Sequence, residues 1–104
     1  MIIVQGWARL PDKAIDALEE AVLAMVGATR AEVGCIDYAM ARDISDPHLI
    51  RISEVWESDG ALMAHFTTPH MAAFNAAIGN AAPEALSIWR YDIAGEAQPL
   101  VVRG

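Results

Sequence analysis

The sequence predicts an α+β fold, a ferredoxin-like βαββαβ sandwich on an antiparallel sheet. Three observations lead there. Four stretches, about residues 2–10, 35–43, 48–57 and 86–95, are rich in β-formers, with period-two alternation clearest in the first, third and fourth. Helical patterns with apolar residues at three- and four-residue spacing follow the first and third of these stretches. The chain has 104 residues, 55% apolar and 20% charged, which suits one core and argues against disorder. We therefore read residues 1–104 as one domain, with a core over about 2–95 and a tail over 96–104.

Strand 1 places Ile2, Val4, Gly6 and Ala8 on one face and Ile3, Gln5, Trp7 and Arg9 on the other. Pro11-Asp12 reads as a helix start, since proline suits the first turn and an acid suits the positive end of the dipole. Ile15, Leu18, Val22, Met25 and Val26 then form one apolar stripe, and the helix ends between Gly27 and Glu32. Gly34 turns the chain into strand 2. Ile44–Pro47 reads as a hairpin loop. Strand 3 puts Ile50, Ile52, Glu54 and Trp56 on one face and Leu49, Arg51, Ser53 and Val55 on the other. Ser58 or Asp59 caps a short helix to about Phe66, and Pro69 restarts a helix to about residue 80 with Met71, Phe74 and Ile78 inward. Strand 4 follows. The apolar tail at Leu100–Val102 leaves two alternatives, a further edge strand or a crossing to a partner.

A formal charge of −7 argues against nucleic acid and anionic membranes as partners. The single cysteine, Cys35, excludes an internal disulfide framework and fits a reducing compartment, so a cytoplasmic location is expected. The N-terminal residues show no signal-peptide pattern, and no apolar run reaches the roughly 20 residues of a membrane helix. Both strand faces carry large apolar groups, whereas helices cover only one side of such a sheet. Pairing two sheets across a two-fold axis would bury the other side, which predicts a homodimer.

Residues 54–74 concentrate the unusual chemistry: E-V-W-E-S, then A-H-F-T-T-P-H, with Phe74 four residues on. These motifs, with E-V-G-C-I-D-Y at 32–38, resemble the antibiotic biosynthesis monooxygenase domain over about residues 2–95. The resemblance implies a dimeric α+β barrel with a pocket between sheet and helices in each subunit. It also implies quinol or polyketide-tailoring monooxygenase chemistry, with molecular oxygen as co-substrate and no flavin, haem or metal. The haem-degrading branch places a tryptophan where this chain has His65 and an iron-binding histidine where it has Asn75, so haem is not expected.

Such a reaction needs a base titrating near neutrality and a dry aromatic pocket. His65 is the first candidate base and His70 the second; either one could instead be a hydrogen-bonded structural histidine. Trp56, Trp7, Tyr38, Phe74 and Tyr91 are candidate substrate-binding residues, with core packing as the alternative for each. Zinc is not expected, because the two histidines lie five apart across a proline and no carboxylate completes a set in sequence. Glu54 is expected to pair with Arg51, Arg90 or an arginine of a dimer mate. Cys35 reads as a small packed apolar group. Two further functions stay open on the same fold: a non-catalytic domain that binds a small aromatic compound, and an isomerase.

Overall fold

The computed structural model describes residues 1–104. Strand β1 (Ile2–Arg9) is followed by helix α1 (Ala14–Arg30) and the hairpin of β2 (Cys35–Asp43) and β3 (Asp46–Trp56). Helices α2 (Asp59–His65) and α3 (Pro69–Asn80) lead to β4 (Ala85–Asp92). The sheet order is β2-β3-β1-β4 and every pairing is antiparallel. This is the expected ferredoxin-like α+β arrangement.

Register places the residues that matter in rows on the helix side. Val4 pairs with Glu54, and Glu54 with Tyr38; Ile2 pairs with Trp56, and Trp56 with Cys35. Tyr38 and Cys35 are three apart, yet face partners two apart, because a bulge interrupts β2 between Cys35 and Asp37. The extra residue lets both side chains face the helices. Above these rows, Ile2, Val4, Tyr38 and Trp56 pack with Met25 of α1, Leu62 of α2 and Phe74 of α3. A second cluster of Ala8, Leu10, Ile15, Leu18 and Ile50 closes the far end.

Several boundaries differ from the sequence reading for local reasons. Helix α1 starts at Ala14, not at Pro11-Asp12, because Lys13 adopts a left-handed conformation (φ 64°) that ends a preceding turn. The β2–β3 connection shrinks to Ile44-Ser45, the Asp43 carboxylate accepting from the Ser45 amide at 2.7 Å. Pro47 falls beyond the last β1–β3 pair, Arg9 with Leu49, and at a register shift of the β2–β3 ladder, where a missing N–H is tolerated. Strand β4 stops at Asp92, and the tail adds no fifth strand.

The helices leave the other sheet face bare. There Gln5, Trp7, Arg51, Ser53, Ser87, Trp89 and Tyr91 border a shallow hollow of about 430 Å³. Trp89 and Tyr91 are 65% and 53% exposed. No helix is long and apolar enough to cross a membrane.

Gly34 seats the α1–β2 turn against α2. Its φ is +85°, and a Cβ there would lie 2.5 Å from the Ala61 Cβ. Its carbonyl accepts from the Glu57 amide at 2.9 Å. Gly34→Ala is expected to cost roughly 1–3 kcal/mol through left-handed strain and collision. Adding Ala61→Gly should return only the collision part. Thermal unfolding of the single and double variants checks this; an unchanged melting temperature in Gly34→Ala would contradict the packing described.

Candidate active site

The site forms where the α1–β2 turn meets the junction of α2 and α3. Ser58 caps α2, its hydroxyl accepting from the Ala61 amide at 3.2 Å, and the seven-residue helix ends on His65. Thr68 then works on both sides of the break. Its hydroxyl donates to the His65 carbonyl at 2.7 Å and accepts from the Met71 amide at 3.3 Å, capping α3 with Pro69 in its first turn. His65 and His70 are thus five residues apart in sequence but held on two helices that one threonine ties together.

The group that joins them is Glu32, in the turn after α1. Its Oε2 lies 2.6 Å from His65 Nδ1 and 2.9 Å from His70 Nε2. A carboxylate only accepts, so each of these nitrogens carries the hydrogen and donates it. In the neutral form of each ring, the lone pair then lies on the other nitrogen, His65 Nε2 and His70 Nδ1. The His65 side chain is 1% exposed, Glu32 14% and His70 22%. The cluster therefore grades from a buried imidazole to one at the surface. Glu32 was missed by the sequence reading because it lies more than thirty residues from either histidine; it does head the E-V-G-C-I-D-Y stretch that carried part of the family likeness.

His65 sits in an aromatic nest. Ring centroids lie 4.9 Å away for Trp56, 5.5 Å for Tyr38, 5.8 Å for Phe66 and 6.0 Å for His70. Trp56 and Tyr38 are wall groups fixed in the core, and Phe74 packs in the same cluster. Trp7 and Tyr91 do not join them: both border the hollow on the opposite sheet face. The five aromatic candidates thus divide between two faces. Neither the hollow nor a smaller concavity of about 170 Å³ beside α1 and β2 is lined by His65 or His70. The exposed ring at the cluster's edge is Phe66.

The expected ion pair of Glu54 with Arg51 or Arg90 does not form. Arg51 points to the other face and binds Asp43, while Arg90 binds Asp59 and Asp92. Glu54 instead accepts from Trp56 Nε1 at 2.9 Å. Burial pushes its carboxyl above the ordinary range, against the lowering effect of that bond. Burial likewise raises the Tyr38 phenol, with Glu54 adding to the effect, so Tyr38 stays protonated at neutral pH. The Cys35 thiol, partly buried against the core cluster, is also raised, chiefly by burial.

A carboxyl whose folded pKa is raised favours folding most below its unfolded pKa and loses that contribution as pH rises through the folded value. Glu54→Gln keeps an acceptor for Trp56 and removes the buried charge. Relative to the natural chain, it should gain stability as pH rises from about 4 to 8. Each 1 kcal/mol would show as about 4–8 °C in a domain of this size. Melting temperatures of both chains across that range test it; a variant that loses ground as pH rises would contradict the assignment.

Comparison with known proteins places this chain in a family. The antibiotic biosynthesis monooxygenase family model matches residues 1–77. A Deinococcus radiodurans protein assigned to the antibiotic biosynthesis monooxygenases is 29% identical, with 97% of this chain and 99% of that one covered and a TM-score of 0.86. PA3566 from Pseudomonas aeruginosa is 30% identical over 89% of this chain and 94% of its own, with a TM-score of 0.78. Rv0793 from Mycobacterium tuberculosis is 25% identical over 93% and 98%, with a TM-score of 0.82. No curated protein gives a significant match. With most of its length matched by one family model, and with that family's fold, the chain belongs to the antibiotic biosynthesis monooxygenase family.

Proposed function

We propose that the protein is a cofactor-independent monooxygenase that oxidises a quinol or a related phenolic, polyketide-like aromatic with O2. Membership of a monooxygenase family supports the reaction class. The observation that carries the chemistry is the Glu32–His65 hydrogen bond. By holding the hydrogen on Nδ1, it leaves Nε2 of a buried imidazole as a base, the arrangement in which a carboxylate orients a histidine for proton transfer.

In this reading the substrate approaches at the Phe66–His70 edge, which must open to admit it, because His65 and the Trp56 and Tyr38 rings behind it are buried. His65 takes the phenolic proton. The anion passes one electron to O2, and the carbon radical and superoxide combine into a C–O bond. Loss of the C–H proton and cleavage of the O–O bond then leave a carbonyl. One oxygen atom stays in the product and the other departs as water, which takes up the proton held by His65. Glu32 stabilises the imidazolium, and His70, on the same oxygen, links the pair to solvent. The bare sheet face, with Trp7, Trp89 and Tyr91 exposed, supports a homodimer that pairs these faces, and the single thiol suits a cytoplasmic setting.

A second reading draws on the hollow bordered by Trp7, Trp89 and Tyr91: a site that binds a small flat aromatic without turning it over. Oxygen uptake separates the two. With metal-free protein and a panel of hydroquinones, naphthohydroquinones and anthrones, uptake above autoxidation is expected. It should fall about 10²–10⁴-fold in His65→Ala and measurably in Glu32→Gln, each checked for folding by circular dichroism. Uptake unchanged in both folded variants would discard the base. Binding without uptake, abolished by Trp89→Ala, would select the second reading.

A further inference from the structure

The three groups at the centre of the site are also a ligand set. A carboxylate oxygen of Glu32, Nδ1 of His65 and Nε2 of His70 all lie within 4.8 Å of one another. Two edges of this donor triangle, 2.6 and 2.9 Å, are hydrogen bonds that converge on one oxygen. Donors held about 2.0–2.2 Å from a common ion stand roughly 3.3–3.6 Å apart in a tetrahedral set, so the two short edges must each open by roughly 0.4–1.0 Å. The third edge closes by a turn of His70, the more exposed ring. The three donors come from three separate segments: the turn after α1, the end of α2 and the first turn of α3. Thr68 holds the two helical segments together.

Donor type narrows the ion. Two imidazoles and one carboxylate, with coordination positions left for water or another ligand, suit zinc and the other borderline first-row divalent ions. Magnesium and calcium prefer oxygen throughout. The chain's charge of −7 draws cations towards it.

We propose that Glu32, His65 and His70 bind one Zn²⁺ or similar borderline divalent ion per chain, replacing the two N–H···O bonds. Each neutral ring shifts its hydrogen to the opposite nitrogen, His65 to Nε2 and His70 to Nδ1, so that binding releases no net proton. This has a consequence that rests on the oxygenase reading. With the ion on Nδ1, His65 Nε2 changes from lone pair to N–H donor, and the base is gone. The ion is thus an off-switch and not a cofactor.

Calorimetric titration of the metal-free protein with ZnCl2, and with MgCl2 as control, tests the site directly. One zinc per chain at about micromolar Kd or tighter is expected, with no magnesium binding. Co²⁺ in place of zinc should give the visible bands of a four- or five-coordinate ion. His70→Ala and Glu32→Gln should each weaken zinc by at least about tenfold, the smaller end of what even outer-shell changes cost. Cys35→Ser and His48→Ala should leave it unchanged. Melting curves without metal establish that each variant is folded, and either ligand variant alone decides. Absence of saturable zinc binding, binding that survives loss of either ligand, or binding lost in Cys35→Ser or His48→Ala would overturn the site. Turnover plays no part in that readout. Zinc binding in a chain that never consumes oxygen would sink the oxygenase and keep the site; metal-free turnover without zinc binding would do the reverse.

Discussion

An imidazole with 1% of its side chain exposed needs a partner for its N–H, because an unpaired polar group in that setting costs about 1–3 kcal/mol. In this chain the partner is Glu32, and supplying it constrains much of the layout. The turn after α1 must come down onto α2, which requires the left-handed Gly34 and the small Ala61 opposite it. Helix α2 must stop at His65, so that the chain can break at Thr67-Thr68-Pro69 and restart with His70 facing the same oxygen. The bulge in β2 must bring Tyr38 round to wall the ring that Trp56 supports from the neighbouring strand. Ordinary capping and packing devices thus converge on one carboxylate.

The site contains two carboxylates of different character. Glu54 lies in the sheet, bound to the Trp56 indole and to no cation, and burial raises it. Glu32 lies at the edge of the cluster between two N–H donors. Glu32 orients His65, while Glu54 anchors the Trp56 ring tilted beside that imidazole. The oxygenase reading and the zinc site use the same oxygen, and they differ in which nitrogen of His65 carries the hydrogen.

Much of the fold was legible in the sequence because its signals are local. Alternation in β1 and β3, the stripe of α1 and the Ser58 and Thr68-Pro69 starts each depend on neighbours within four residues, and the structure follows them closely. The misses were of two kinds. Lys13 in a left-handed conformation and the shortened Ile44-Ser45 turn are backbone choices that no hydrophobic pattern reports. The role of Glu32 and the partner of Glu54 depend on pairing across more than thirty residues or on which strand face an arginine reaches. Arg51 sits three residues from Glu54, but odd spacing on a strand sends it to the opposite face, a fact that alternation itself could have supplied. The histidines were found because they are rare and close together; the carboxylate that organises them was one of fourteen acidic residues.

The chemistry of the site turns on one hydrogen atom, and nitrogen-15 NMR of the metal-free protein observes it. Histidine side-chain spectra distinguish the Nδ1–H from the Nε2–H tautomer by the shifts of the two ring nitrogens. The structure predicts that neutral His65 carries its hydrogen on Nδ1, bonded to Glu32, and that Glu32→Gln weakens this preference. A neutral His65 with its hydrogen on Nε2 would mean that the Glu32 bond is not made as described. The base and the switch would then both lose their foundation.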